Sequence, residues 1–82
     1  MIRSPTETPK ALLKNIADNL RKHRLRLNLS QEEFADLCGY HRTYIGAIER
    51  AERNITIETL CSLAIALEIS VHQLLEASDD AS

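Results

Sequence analysis

Both prolines of this chain, Pro5 and Pro9, fall within its first nine residues, and after them only Gly39 and Gly46 resist helix. A run that long with so few breakers leaves little but helices to build with. Hydrophobic residues make up 44% of the sequence and aromatic ones 4%, so the core must be Leu, Ile and Ala rather than Phe or Trp. At 82 residues the chain makes one domain near the lower size limit for burying its own core. The expected class is all-α.

Apolar spacing divides the run into five helices. The first covers about 10–25, with Leu12, Leu13, Ile16, Ala17 and Leu20 recurring at helical intervals, and Leu27 and Leu29 reach back from the turn after it. Ser30-Gln31-Glu32-Glu33 is a capping box: the Ser hydroxyl accepts from the amide of Glu33, whose carboxylate accepts from the amide of Ser30. The short helix it opens carries Phe34, Ala35 and Leu37 and stops at Gly39, which enters the left-handed conformation cheaply. A third helix covers 41–50 with Ile45 and Ile48 inward; a short helix, a glycine and a second helix are the parts of a helix-turn-helix. Thr56 caps the fourth, which puts Ile57, Leu60, Cys61, Ala64 and Leu67 on one face. Ser70-Val71-His72-Gln73 is a second capping box and opens a fifth helix with Val71, Leu74 and Leu75. Leu20, Phe34, Ile45, Ile48, Leu60, Ala64 and Leu67 are expected in one core. Residues 1–9 read as a flexible arm, 10–77 as the folded domain and 78–82 as an acidic tail.

The net charge of −2 conceals an asymmetry. Residues 10–54 hold nine Lys/Arg against six Asp/Glu, whereas 55–82 hold five acids and no Lys or Arg. A polyanion responds to the local field, so the basic half is the one suited to nucleic acid. No Gly-rich phosphate loop or grouped nucleophile and base is present, and Glu32/Glu33 and Asp79/Asp80 are neighbours that diverge on a helix, so no enzyme activity is expected. Cys38 and Cys61 have no zinc-type spacing with each other or with His23, His41 or His72, which makes them packed, reduced thiols. No cofactor, metal or small-molecule ligand is expected. Without a membrane-spanning run or a signal-peptide pattern, the expected location is cytoplasmic.

The stretch 29–54, LSQEEFADLCGYHRTYIGAIERAERN, resembles the helix-turn-helix of the phage Cro and lambda-repressor-like superfamily, often called the XRE family. The resemblance rests on Leu29-Ser30-Gln31-Glu32-Glu33, Ala35, Gly39, Ile45 and Ile48-Glu49-Arg50, with Arg24, Leu60, Ala64 and Leu67 also in register. Through His41-Arg42-Thr43-Tyr44-Ile45, Ile48-Glu49-Arg50 and Arg53-Asn54 it is most similar to the restriction–modification controller proteins. The resemblance implies a five-helix lambda-repressor-like DNA-binding domain and a sequence-specific transcriptional regulator, acting as a homodimer on a pseudo-palindromic operator. The partners implied are double-stranded DNA and a second copy of the chain. An antitoxin-like protein-interaction module that also binds DNA is the alternative. Ala51 stands where that family usually has Gly, and Gly46 where a small polar residue such as Ser is common. Ala51 is expected to prolong the third helix.

In such a domain the recognition helix turns its first residues to base edges. Arg42, Thr43 and, one turn later, Ala47 are the expected base contacts; the Arg42 fork fits guanine O6 and N7. Gln31 at a helix start, Tyr44, Arg50, Arg53 and Asn54 are the expected DNA backbone contacts. Glu49 is expected to pair with Arg24, since its charge repels phosphate, and His41 to start the helix. Ile65 lies ~100° off the core face of the fourth helix and, with Ile69, Leu74 and Leu75, is the expected dimer interface.

Overall fold

The helix permitted by the proline-free run is long: α1 spans Pro9–Arg26, with Thr8 as its N-cap accepting from the amide of Ala11. The structure is a computed structural model describing residues 8–77, so residues 1–7 of the expected arm and the tail 78–82 lie outside it. α1 begins at Pro9, one residue before the expected domain boundary, because Pro9 suits the first helical turn and Thr8 caps it. Four shorter helices follow: α2 over Gln31–Cys38, α3 over Arg42–Glu49, α4 over Ile57–Leu67 and α5 over Val71–Leu75. The all-α, five-helix reading therefore holds. Both capping boxes form, Ser30 with Glu33 and Ser70 with Gln73, and Thr56 caps α4 through the amide of Thr59.

α1, α2, α3 and α4 all end in the same way. A residue in the left-handed region (Asn28, Gly39, Ala51 and Glu68) turns the chain, and the following amide donates back into the last turn. This is the Schellman closure, usually built on glycine. Here Gly39 alone is a glycine. Ala51 has φ 58°, so it does not prolong α3; the helix stops at Glu49, capped by Arg50.

The core forms where the helices meet, and Leu20, Phe34, Ile45, Ile48, Leu60, Ala64 and Leu67 are all buried in it. Three expected positions differ. On α4 the inward row is Leu60, Leu63, Ala64 and Leu67, whereas Ile57 is 74% exposed and Cys61 is also exposed. That inward row follows the spacing of three and four, and Ile57, Cys61 and Ile65 form a separate row about 100° round the helix. Leu27 is exposed, while Leu29 does pack against the core. Leu74 is completely buried within its own chain, because α5 lies directly against α1. Two asparagines on α1 fasten that contact. Asn19, itself buried, donates to the carbonyls of Leu74 and Glu76 at 2.9 and 2.8 Å, and Asn15 donates to that of Leu75. They satisfy carbonyls that a helix end leaves without partners.

Candidate nucleic-acid interface

α2, the turn at Gly39 and Tyr40, and α3 make a helix-turn-helix in which each junction is fixed by its own hydrogen bonds. At the turn, Gly39 (φ 80°) closes α2, and the amide of Tyr40 donates to the carbonyl of Ala35. His41 then caps α3: its Nδ1 accepts from the amide of Thr43 at 3.0 Å. That cap keeps the first turn of α3 intact where Arg42 and Thr43 stand exposed. The Arg42 guanidinium is 3.6 Å from Glu32 Oε1, and both side chains are largely in solvent. So exposed a pair stabilises little, and Arg42 is free to exchange Glu32 for another acceptor.

The far side of α3 is held by charge. Arg24 on α1 grips Glu49 with two hydrogen bonds, Nε to Oε2 at 2.6 Å and Nη2 to Oε1 at 3.0 Å. Its Nη1 donates to the carbonyl of Leu29 at 2.7 Å, and the two side chains are 8% and 4% exposed. A bidentate pair of this kind fixes an angle as well as a distance. It ties the end of α3 to α1 and to Leu29 in the turn before α2, so recognition helix and scaffold move as one body. The expected Arg24–Glu49 pairing is present. Gln31, expected on a phosphate, donates its Nε2 to Glu49 Oε1 at 3.0 Å. It belongs to this network because the carboxylate offers it a charged acceptor at close range.

The other expected contacts divide. Tyr44 is half-buried, edge-on to Tyr40 with ring centroids 5.3 Å apart, and Arg53 Cζ stands 5.2 Å from the centre of the Tyr44 ring. Tyr44 is thus a platform that positions the Arg53 cation beside α3. Asn54 is exposed and lines a groove with Lys10, Lys14 and Arg50, where the start of α1 approaches the loop after α3. Ala47 is only 8% exposed, so the surface it can offer a base edge is small. Arg50 is exposed but turned back along α3: a Cβ placed on Gly46 would lie 3.2 Å from its Nη1. Sequence reasoning missed Asn15 and Asn19, whose roles depend on where α5 meets α1 and which no local pattern marks. Of the expected dimer residues, Ile65 is 76% exposed, Ile69 and Leu75 are half-buried, and Leu74 is withdrawn, being in the core.

An exposed, capped helix start carrying Arg and Thr, set beside a crossing helix on a rigid support, defines a DNA-reading helix-turn-helix. The helix-turn-helix family model matches residues 20–74, and the chain belongs to that family of DNA-binding transcriptional regulators. It is 55% identical over 60 residues to the control protein C.SmaI of Serratia marcescens, covering 73% of this chain and 71% of that one. A hypothetical transcription factor from Neisseria superposes with a TM-score of 0.81 at 32% identity, covering 99% of this chain and 93% of the other. The controller protein C.Esp1396I, solved as a tetramer on its natural 35 base-pair operator, matches at 0.68 and 33% identity, over 79% and 96% of the two chains.

Proposed function

We propose that this chain is an operator-binding regulator of the restriction–modification controller type, working as a two-fold dimer. The observation that carries the reading is the pairing of Arg42 and Thr43, exposed on the first turn of α3, with the buried Arg24–Glu49 pair and half-buried Gln31 behind it. One side of α3 is free and the other is immobilised, as base reading requires. In this reading Arg42 donates to guanine O6 and N7, Thr43 meets the neighbouring base edge, and Arg53 and Asn54 hold the sugar–phosphate backbone. Likeness to control proteins and to a controller crystallised on its operator supports the same direction.

One recognition helix reads too few base pairs for useful specificity, and a two-fold pair reads two half-sites a helical turn apart. The surface that suits the pairing is the exposed row Ile57, Cys61 and Ile65 on α4, with Ile69 and Leu75 at its edge. Selection from randomised duplexes should return an inverted repeat. Ile65→Glu should split the pair in sedimentation and weaken operator binding sharply while leaving helicity unchanged, since a charge there would be desolvated against its own copy. A wild-type monomer at tens of micromolar, or a dimer indifferent to Ile65→Glu, would refute the assembly.

A further inference from the structure

Gly46, one turn into α3, is buried beneath two side chains that converge on the space its missing side chain leaves. A Cβ built there would lie 3.2 Å from Arg50 Nη1 and 3.4 Å from Gln31 Oε1. We propose that Arg50 is a base-reading residue, directed through the notch at Gly46 toward a guanine of the operator, rather than a clamp on the sugar–phosphate backbone. This rests on the operator-binding reading above and adds one specificity-determining residue to it.

Three features of the structure support the assignment. The first is direction. Helical side chains lean toward the helix N-terminus, so Arg50, rooted at the end of α3, runs back over Gly46 toward the turn that carries Arg42 and Thr43. Its guanidinium therefore joins the row of base readers and leaves the helix end behind. The second is donor geometry. Glu52 Oε1 accepts from Arg50 Nε at 3.0 Å. With Nε occupied, Nη1 and Nη2 remain as an end-on fork matching guanine O6 and N7. The third is confinement. Gln31 gives its Nε2 to Glu49, which fixes its carboxamide as the opposite wall of the notch and keeps Arg50 from sweeping across the face. A larger residue at position 46 would occupy the space the guanidinium crosses.

The test compares base preference with salt dependence in the full-length protein. Selection from a randomised duplex library with the wild type defines the preferred site. Binding of Arg50→Ala, Arg50→Lys and Gly46→Ala is then measured on that site and on all its single-base-pair variants. Arg50→Ala should lose ~5- to 150-fold of discrimination at one G·C position in each half-site, the range of one bidentate contact, with the ranking elsewhere intact. The slope of log K against log salt should not move. Arg50→Lys should fail to restore the preference, because an ammonium has no fork. Gly46→Ala should erode preference at the same position with no loss of melting temperature, since alanine favours helix and the tightest neighbour is the far end of the Arg50 side chain, which can swing aside. Uniform weakening by Arg50→Ala with a shallower salt slope would make Arg50 a phosphate contact and overturn the proposal. An unchanged profile would leave it a surface partner of Glu52, also overturning it. A Gly46→Ala profile identical to wild type would remove the notch from the explanation. A wild type that selects no site would instead refute the operator-binding reading on which the proposal stands.

Discussion

Replacing Ala51 with glycine should make this protein more stable, which is unusual for a residue at the edge of a DNA-reading helix. Ala51 holds φ 58° so that its own amide can reach the carbonyl of Ile48 at 2.9 Å and that of Glu52 the carbonyl of Ala47 at 3.0 Å. A side chain with a Cβ pays ~1–2 kcal/mol for that conformation, whereas glycine enters it freely. Against this, glycine loosens the unfolded chain and gives back ~0.4–1 kcal/mol. The net gain is about 0.5–1 kcal/mol, and in a domain of this size that raises the melting temperature by roughly 2–8 °C. Thermal and urea unfolding of Ala51→Gly against wild type would measure it, with an unchanged urea m-value showing that the native state and not the unfolded chain's compactness has altered. Glu68, at φ 61° after α4, is an internal replicate: Glu68→Gly should gain by the same route. Asn28 should not, because asparagine already tolerates the left-handed region. A melting temperature for Ala51→Gly at or below wild type would refute the reasoning and restore the view that α3 continues through Ala51.

Glu49→Ala strands the buried Arg24 cation and should cost ~3–5 kcal/mol in urea unfolding, most of it recovered when Arg24 is also replaced by Met; a loss below 1 kcal/mol would mean that water replaces the carboxylate. His23 is buried, and burial, Arg26 and Lys22 together hold its pKa below the usual 6.5 against the opposing pull of Glu76. The unfolded chain therefore takes the proton first, so this contribution is complete above pH 6.5 and is lost as pH falls through the folded value. His23→Gln should flatten the decline in urea midpoint below pH 6.5, and parallel declines in the two proteins would exclude His23 as its source.

What the sequence makes legible is what local chemistry decides. Ser30 with Glu33, Ser70 with Gln73, Thr56 and Gly39 each specify a helix end through a bond to a near neighbour, and each end lies where those residues place it. The inward register of α4 is not decided locally. Eight of its eleven residues are apolar (IETLCSLAIAL), so two rows fit the same pattern, and only packing against α1, α2 and α5 selects Leu63 over Cys61. Leu74 shows the same limit: a leucine on a five-residue helix has no periodicity to place it, and the contact of α5 with α1 buries it. Ala51 fails for a different reason, since alanine is a strong helix former and the signal that stops α3 is a pair of backbone bonds no residue type announces. At the candidate site, Arg42 and Thr43 were legible because a helix start exposes them. The engagement of Gln31 by Glu49 was not, because it depends on where three separate segments meet.

The division of charge along the chain gives DNA binding and self-association opposite responses to salt. The Lys and Arg residues of the described domain all precede α4, and the exposed row Ile57–Cys61–Ile65 is bordered by Glu58 and Glu68 with no cation between them. In the proposed α4 dimer these acids border the contact, and their mutual repulsion is screened as ionic strength rises. Apolar burial along the row is insensitive to that screening, so added salt favours the dimer. Phosphate contacts respond in the other direction, because each one releases counterions at a cost that grows with salt. With that dimer, operator affinity contains two salt terms of opposite sign. It follows that the salt slope of the wild type understates the number of phosphate contacts whenever the protein is dilute enough to dissociate. The slope counts them faithfully only when the dimer is saturated. In that regime, Arg53→Ala should flatten the slope if its cation, which rests on Tyr44, holds a phosphate, and Arg50→Ala should leave the slope unchanged if Arg50 reads a base as proposed.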